Sequence, residues 1–355
     1  MLMSRESGRK KMSGGKYALF AVLVVIISTA ALLATFLAGD LYFHYKLQAK
    51  GMYNIWGYRG SSVGPKKKGE FRIAVLGGSS ALGYGTPLGH SFPANLERAF
   101  NKNPRRKGGP ESYKIVNLAW NNEGAHSYIH TLKDYTYLDY DAVIIYTGYN
   151  DLGGKNLAVF RHKSPIFRLT GYLPLLPTMM LDKAKTLQFG LGIGEINLGK
   201  RRTNFTPSVM DQTKATALNI GGQIALSLEE QLGGLTNPGQ IKIMAGDTDC
   251  GERWTFYCSE IKPALHFALN NGLPVAIVTQ PYISDKHVEQ QKTLVNMLRR
   301  RYGDNPRLLH INLGRAVDLK DRKLSFDGMH LTSRGNEIIS KNLIAPLTRF
   351  FARAS

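Results

Sequence analysis

A short apolar run that ends in glycines and serines constrains the fold of this chain most. Residues 71–76, FRIAVL, are mostly aliphatic and are closed by Gly77 and Gly78 instead of continuing at helical spacing, which is typical of a buried strand. The two glycines let the backbone turn where a side chain would clash. Ser79 therefore lies at the carboxyl end of a predicted strand, the edge where open α/β sheets place their functional groups.

Short apolar runs of the same kind recur and alternate with helical patterns. We predict further strands at residues 113–119, 142–147, 274–280 and 308–313. We predict helices at 91–100, 259–270, 285–301 and from about 333 onward. Another predicted helix follows the segment WNNEGAHS and ends at about residue 138. Strands and helices in this alternation indicate parallel βαβ units, and hence an α/β fold.

Residues 152–246 interrupt this regular order. The stretch contains GYLPLLP and LGIGEINLG, with one helical segment near 211–232, and it is too long for a simple crossover. We interpret it as an insertion or lid above the sheet.

An uncharged stretch of 23 residues, Tyr17–Gly39, is long enough to cross a hydrocarbon core of about 30 Å. We predict a transmembrane helix here; a cleaved signal peptide is the alternative, although its apolar region would be shorter. The tail, residues 1–16, carries five basic residues and one acidic residue, which favours a cytoplasmic N-terminus. Everything after Asp40 would then be periplasmic or extracellular, beginning with residues 40–70, which we interpret as a juxtamembrane linker.

The composition is that of a folded, basic protein. With 355 residues, 43% of them hydrophobic, the chain can hold one large core or a domain with an insertion, and its formal charge is +20. Basic runs at 66–68, 105–107 and 299–301 are interpreted as solvated surfaces that favour anionic lipid or polymer. Nucleic-acid binding is the alternative, but no helix-turn-helix, zinc-finger or RNA-binding signature accompanies the charge, and we predict no nucleic-acid partner.

The two cysteines, Cys250 and Cys258, both lie in the part predicted to be outside the cytoplasm, with seven residues between them. An oxidising compartment would allow them to form a small disulfide loop. Two free thiols are the alternative. A metal site is not predicted, since neither CxxC spacing nor a histidine cluster is present.

Several polar residues could supply what a nucleophilic Ser79 requires. Asp327 lies three residues before His330, so its carboxylate could fix one imidazole nitrogen while the other faces the serine. Asn150 ends a predicted strand and offers an amide donor for an oxyanion, and Gly124 could bring its N–H to the same point. Taken singly, each is more typical of an ordinary solvated, capping or turn residue.

Other motifs are absent or out of context. Residues 60–64 match the G-x-S-x-G nucleophile elbow, but Pro65 and three lysines follow instead of a helix, so we interpret the match as accidental. Neither a phosphate-binding G-x-x-x-x-G-K-[ST] loop nor a G-x-G-x-x-G dinucleotide fingerprint occurs, and no cofactor is predicted.

Taken together, these residues resemble the SGNH, or GDSL, hydrolase family. The chain carries GGSSALGYG at 77–85 as the first family block, Gly124 within 117–127 as the second, GYND at 148–151 as the third and DGMH at 327–330 as the last. The resemblance covers about residues 71–350 without the insertion, and DGMHLTxxGN is its most specific stretch.

Two features depart from the family pattern. Gly78 stands where the family usually has Asp, at a position that is not catalytic. The second block carries extra residues, so Asn122 and His126 are further candidates beside Gly124.

The resemblance implies a three-layer α/β/α flavodoxin-like domain with a parallel sheet at residues 71–352. It also implies Ser79 as nucleophile, His330 as general base and then acid, and Asp327 as the group that orients it. The oxyanion hole would consist of the Ser79 N–H, the Gly124 N–H and the Asn150 side chain.

The function expected from the resemblance is that of a serine esterase outside the cytoplasm, acting through an acyl-enzyme on O-acylated carbohydrate or lipid-like esters. An O-acyltransferase that modifies an envelope polysaccharide would use the same residues. A non-catalytic binding or scaffold protein, with 152–246 as its partner surface, is the alternative from another class.

Overall fold

The computed structural model describes residues 14–102, 109–159, 161–190, 206–236, 250–303 and 305–354. The five strands are β1 Glu70–Gly77, β2 Ser112–Asn117, β3 Ala142–Thr147, β4 Val275–Thr279 and β5 Leu308–Asn312. The first helices are α1 Gly14–Ala49, α2 Ser79–Leu82, α3 Phe92–Lys102, α4 Ala125–Asp134 and α5 Pro165–Thr170. They are followed by α6 Leu176–Phe189, α7 Val209–Thr236, α8 Gly251–Asn270, α9 Asp285–Tyr302 and α10 Ser333–Ala354.

All five strands are parallel and form one sheet in the order β2-β1-β3-β4-β5. This is the flavodoxin-like order, in which the chain reverses direction across the sheet at β1 and β3. Gly77 at the end of β1 pairs with Tyr146 near the end of β3, so the carboxyl ends of the two strands are level. The predicted α/β class is confirmed.

Helices cover both faces of the sheet. Along β1, Ala74 and Leu76 pack into one core with residues of α4, α8 and α9. Ile73 and Val75 pack into a second core with residues of α3 and α10. A strand buried on both faces has no reason to alternate polar with apolar residues, and this explains the continuous apolar runs in the sequence. The architecture is therefore three-layered.

The segment 40–70 differs from the linker predicted for it. Its first ten residues continue α1, which runs without a break from Gly14 to Ala49. Further on, the buried Arg59 donates to the carbonyl oxygens of Gly83 and Thr86 at 2.8 Å each, and Tyr53 stacks on Trp120 with ring centroids 3.6 Å apart. The segment is thus part of the domain, because its aromatic and basic side chains pack against the loops that follow β1 and β2.

Within the described residues, α1 is the one helix long and apolar enough to cross a membrane, with a mean hydropathy of 2.6 in its most apolar window. Residues 14–35 are exposed along their whole length, so no part of the described domain covers them. A signal sequence near the N-terminus would pass the same test of length and hydropathy.

The insertion is helical where it is described. The helices α5, α6 and α7 lie in it, and α7 begins and ends within four residues of the predicted helical segment at 211–232. Gly221 and Gly222 let α7 approach α6 closely, because a Cβ on either would lie within 3 Å of Met180 or Leu181. The stretch LGIGEINLG falls outside the described residues, as does 237–249.

Candidate active site

Ser79 lies at the first position of the short helix α2, separated from the end of β1 only by Gly78. The turn before it requires glycine, because a Cβ at Gly77, whose φ is +153°, would lie 2.5 Å from the Tyr146 carbonyl oxygen and 2.7 Å from the Ala81 side chain. Gly83 ends α2 in the left-handed conformation. The strand–glycine–serine pattern thus places the hydroxyl at the carboxyl edge of the sheet, as predicted.

The imidazole of His330 connects Ser79 with Asp327. Its Nε2 atom is 2.8 Å from Ser79 Oγ, and its Nδ1 atom is 2.6 Å from Asp327 Oδ2. Ser79 and Asp327 are far apart in the sequence, and the loop before α10 brings them to opposite nitrogens of one ring. The structure therefore assembles the three residues in the order hydroxyl, imidazole, carboxylate.

The Asp327 carboxylate is held by its own loop. Its Oδ1 atom accepts hydrogen bonds from the Met329 N–H at 3.0 Å and the His330 N–H at 2.7 Å. Partial burial acts to raise the pKa of Asp327, but the hydrogen bonds from the His330 N–H, the His330 ring and the Met329 N–H outweigh it and lower the pKa. The carboxylate is consequently ionised at neutral pH and can stabilise a protonated imidazole.

Two aromatic side chains enclose the His330 ring. Phe326 stacks on it with centroids 5.7 Å apart and an interplanar angle of 14°, and Tyr84 lies tilted against it at 5.1 Å. A Cβ on Gly85 would lie 2.6 Å from the Phe326 ring, so this glycine makes room for the stack. Sequence reasoning did not assign a role to Tyr84 or Phe326, since an aromatic residue beside a motif carries no directional signal.

The Asn150 side chain reaches the start of the serine loop. It belongs to a 3-10 helix directly after β3, and its Nδ2 atom donates to the Glu123 carbonyl oxygen at 2.7 Å. A Cβ built on Gly78 would lie only 1.9 Å from that Nδ2 atom. The amide therefore occupies the space that a side chain at position 78 would need, next to Ser79.

Gly124 precedes α4 as its N-terminal cap, in an extended conformation. Within the described parts of the chain, the N–H groups of Ser79 and Gly124 donate to no protein acceptor. A Cβ on Gly124 would lie 2.5 Å from Asp151 Oδ1, so a side chain there would displace that carboxylate. Two open N–H groups and the Asn150 amide are the donors that an oxyanion hole requires.

The further candidates of the second block have other partners. His126 is buried, and its Nδ1 atom lies 2.7 Å from Glu260 Oε2. Asn122 adopts a φ of +62° and its carbonyl oxygen accepts from Asn156. In the described residues, neither side chain forms a hydrogen bond with Ser79 or His330.

A buried ion pair supports the loop that carries Gly124. The Nη2 atom of Arg161, in the insertion, lies 3.1 and 3.0 Å from the two carboxylate oxygens of Glu123. The Nη1 atom of Arg161 donates to the Gly57 carbonyl oxygen at 3.0 Å. Sequence reasoning missed this pair, because 38 residues separate its members and no local pattern joins them.

Asp151, the neighbour of Asn150, is fully enclosed. Both of its carboxylate oxygens accept from the Ala125 N–H, at 3.1 and 3.2 Å. Burial raises the pKa of Asp151 to about 7; the Ala125 hydrogen bond opposes this increase and the nearby Glu260 charge adds to it.

Asp151 is one of the residues that line a cavity of about 530 Å³. Its walls come from the loop after β3 and from the first turns of α8 and α9, including Lys155, Trp254 and Lys286.

The cysteines predicted as either a disulfide or two thiols are joined in the structure, with Cα atoms 6.3 Å apart, across the start of α8. No cluster of three or more metal-ligating side chains occurs among the residues described.

The comparisons with known proteins include distant likenesses to solved structures. No family model matches the chain, and no curated protein does. Among solved structures, a putative lipolytic protein of the G-D-S-L family from Desulfitobacterium hafniense DCB-2 is 12% identical, with a TM-score of 0.38 over 77% of this chain and 97% of that one. The family 3 carbohydrate esterase of Clostridium thermocellum is 10% identical, with a TM-score of 0.37 over 81% and 100%.

The psychrotrophic esterase EstA from Pseudoalteromonas sp. is 10% identical, with a TM-score of 0.37 over 79% of this chain and 98% of that one. Likenesses at these TM-scores carry no argument about this chain. Its fold class rests on its own sheet order and the two cores that flank it.

Proposed function

We propose that this chain is an SGNH-type serine esterase that acts through an acyl-enzyme. The observation that carries the proposal is the hydrogen-bonded series in which His330 lies 2.8 Å from Ser79 Oγ and 2.6 Å from Asp327. A serine hydroxyl is a weak nucleophile by itself, and a base at this distance, oriented by a carboxylate, is what activates it.

The reaction begins when Ser79 Oγ attacks the ester carbonyl carbon while His330 Nε2 accepts its proton. The carbonyl oxygen becomes an oxyanion that faces the Ser79 N–H, the Gly124 N–H and the Asn150 amide; one such donor typically contributes about 10²- to 10³-fold in rate. His330 then gives the proton to the departing alcohol, and the acyl group stays on Ser79.

Water completes the cycle by attacking the acyl-enzyme, with His330 again taking and returning the proton. Asp327 holds the Nδ1–H tautomer and stabilises the imidazolium in both halves of the reaction. Because its pKa is lowered, Asp327 remains a carboxylate at neutral pH and does not compete for that proton.

The substrates we propose are O-acylated carbohydrates or lipid-like esters outside the cytoplasm. In support, α1 offers a membrane anchor with an exposed apolar surface, and the tail before it is basic. The Cys250–Cys258 disulfide fits an oxidising compartment. A reporter enzyme that works only outside the cytoplasm can be fused after Ser355. It should be active if this topology is right and inactive if the domain is cytoplasmic.

The decisive assay measures release of the acyl group from ester substrates, with and without a polysaccharide acceptor. We expect free acid as the product in the wild type and none in Ser79→Ala, while Ser80→Ala keeps activity because Ser80 Oγ has no hydrogen-bond partner in the described residues. Acyl groups appearing on the acceptor would assign the same site to an O-acyltransferase. A Ser79→Ala protein that keeps its biological role would instead support a binding or scaffold function.

A further inference from the structure

The helix α1 is fastened to the insertion by buried polar contacts. The Asp40 carboxylate accepts hydrogen bonds from the N–H groups of Leu175, at 2.7 Å, and Leu176, where α6 begins. One turn later, His44 Nε2 lies 2.7 Å from the Leu173 carbonyl oxygen. Asp40 and His44 are both buried, so this junction fixes α1 against α6.

The junction lies at the end of the apolar span. Residues 14–35 of α1 are exposed and Phe36 is partly covered. At Gly39 the helix α6 lies close, with Leu176 Cδ2 3.6 Å from a Cβ built on the glycine. The next residue, Asp40, is charged. The insertion therefore leaves α1 at the level where a membrane-spanning helix would pass from hydrocarbon to water.

Next to this junction, α7 presents an uncharged surface to solvent. We call it the α7 outer face, and it consists of Asn219, Ile220, Gln223, Ile224, Ser227, Leu228 and Gln231. Ile220, Ile224 and Leu228 recur every four residues and are 56%, 51% and 47% exposed. The opposite side of α7 packs on α6 through Gly221 and Gly222, so the outer face has no partner among the described residues.

The α7 outer face itself is uncharged. Residues 215–228, ATALNIGGQIALSL, contain no ionisable side chain. The three described helices of the insertion, α5, α6 and α7, carry four basic and four acidic residues, namely Arg168, Lys183, Lys185, Lys214, Asp182, Asp211, Glu229 and Glu230. The α7 outer face thus combines apolar side chains with uncharged polar ones, and it carries no charge that would attract anionic headgroups.

We propose that the α7 outer face lies in the interfacial region of the bilayer that α1 spans, with its isoleucines and leucine reaching the headgroup–acyl boundary. The proposal rests on the membrane anchoring of α1 proposed above. A helix lying in this way typically buries its apolar face about 5–10 Å deep. Lipid is favoured over a second copy of the chain, because the α6–α7 pair is attached to the span at the membrane boundary.

The consequence concerns the orientation of the active site. Two attachments, the span and the α7 outer face, would stop the domain from rotating about α1. Arg161 of the same insertion supports the Gly124 loop, so the serine site would keep a constant orientation to the membrane surface.

The test places an environment-sensitive NBD fluorophore on single introduced cysteines in the full chain, reconstituted in phosphatidylcholine nanodiscs. Without reductant the native cysteines stay in their disulfide and do not react. Label sites are Ile224→Cys on the outer face, Ile27→Cys inside the span as positive control, and Lys341→Cys on the exposed side of α10 as negative control.

We expect the emission from position 224 to shift to shorter wavelength and to be quenched by lipids spin-labelled near the headgroup more than by lipids labelled deep in the chain. Position 27 should show the deep pattern and position 341 no quenching. Adding anionic lipid should leave the result at 224 unchanged.

Position 224 behaving like position 341 would overturn the proposal, and so would a shifted emission that no lipid quenches, which indicates coverage by protein. Loss of quenching at position 27 as well would show that the anchoring of α1 itself is wrong. The two failures are therefore distinguishable.

Discussion

Substituting alanine for Gly78 should disable the oxyanion hole while Ser79, His330, Asp327 and Asn150 all keep their identities. Gly78 has φ −88° and ψ −158°, which alanine adopts readily, so the backbone adds no strain. The new methyl group, however, would lie 1.9 Å from Asn150 Nδ2, and the amide must retreat by about 1 Å or more to reach an ordinary contact. It would also lose its 2.7 Å hydrogen bond to the Glu123 carbonyl oxygen.

A misplacement of this size typically costs about 10²-fold in rate, and complete loss of one donor up to about 10³-fold. We therefore expect kcat on a p-nitrophenyl ester to fall by roughly 10²- to 10³-fold with little change in KM. Gly64→Ala is the matched control, because nothing lies within 4 Å of a Cβ there, and it should keep the wild-type rate.

The double variant Gly78→Ala/Asn150→Ala makes the test specific. With the Asn150 side chain removed, the methyl group meets no amide, so the double variant should be as slow as Asn150→Ala alone. A Gly78→Ala protein within about threefold of wild type, or effects that multiply in the double variant, would refute the placement of Asn150 beside Ser79.

Three further changes test the surroundings of the site. Asp327→Asn removes the carboxylate that orients His330 and should lower kcat/KM by about 10³- to 10⁴-fold; a loss of tenfold or less in steady-state assays contradicts that role. Burial raises the pKa of Asp151 to about 7, so the folded protein binds this proton more tightly than the unfolded chain does. The free energy of unfolding should therefore fall by at most about 4 kcal/mol as the pH rises from about 4 to 7. The drop in Tm between pH 5 and pH 8 should therefore shrink in Asp151→Asn, and an unchanged drop counts against the raised pKa. Arg161→Met leaves Glu123 buried without its partner and should lower the free energy of unfolding, measured in urea, by about 3–5 kcal/mol. Arg161→Met/Glu123→Gln should recover part of that loss. A loss below about 1 kcal/mol in Arg161→Met would show that the ion pair is dispensable.

The sheet could be predicted closely because burial on both faces makes its strands locally recognisable. The strand at 142–147 coincides with β3, and the other four strands begin and end within two residues of their predicted bounds. Ser79, Asn150 and the 327–330 loop could be located for the same reason, since each follows directly from a strand end or precedes the last helix.

Features that depend on contacts between residues far apart in the sequence could not be predicted. The segment 40–70 has no periodic apolar pattern, and its packing depends on Arg59 and Tyr53 meeting loops that come later in the chain. The Arg161–Glu123 pair and the Phe326 stack on His330 likewise exist only once the chain has folded. The function of Gly78 in admitting Asn150 is visible only in three dimensions.

Labelling with a fluorophosphonate probe, followed by peptide mapping, tests the activated serine most directly. The reagent forms a stable phosphonyl ester only with a hydroxyl whose proton a neighbouring base removes, so the wild type should carry one adduct, located on Ser79. Ser80→Ala should label at the wild-type rate and Ser79→Ala not at all. An unlabelled wild-type protein, or an adduct that persists in Ser79→Ala, would contradict the proposed nucleophile and the mechanism built on it.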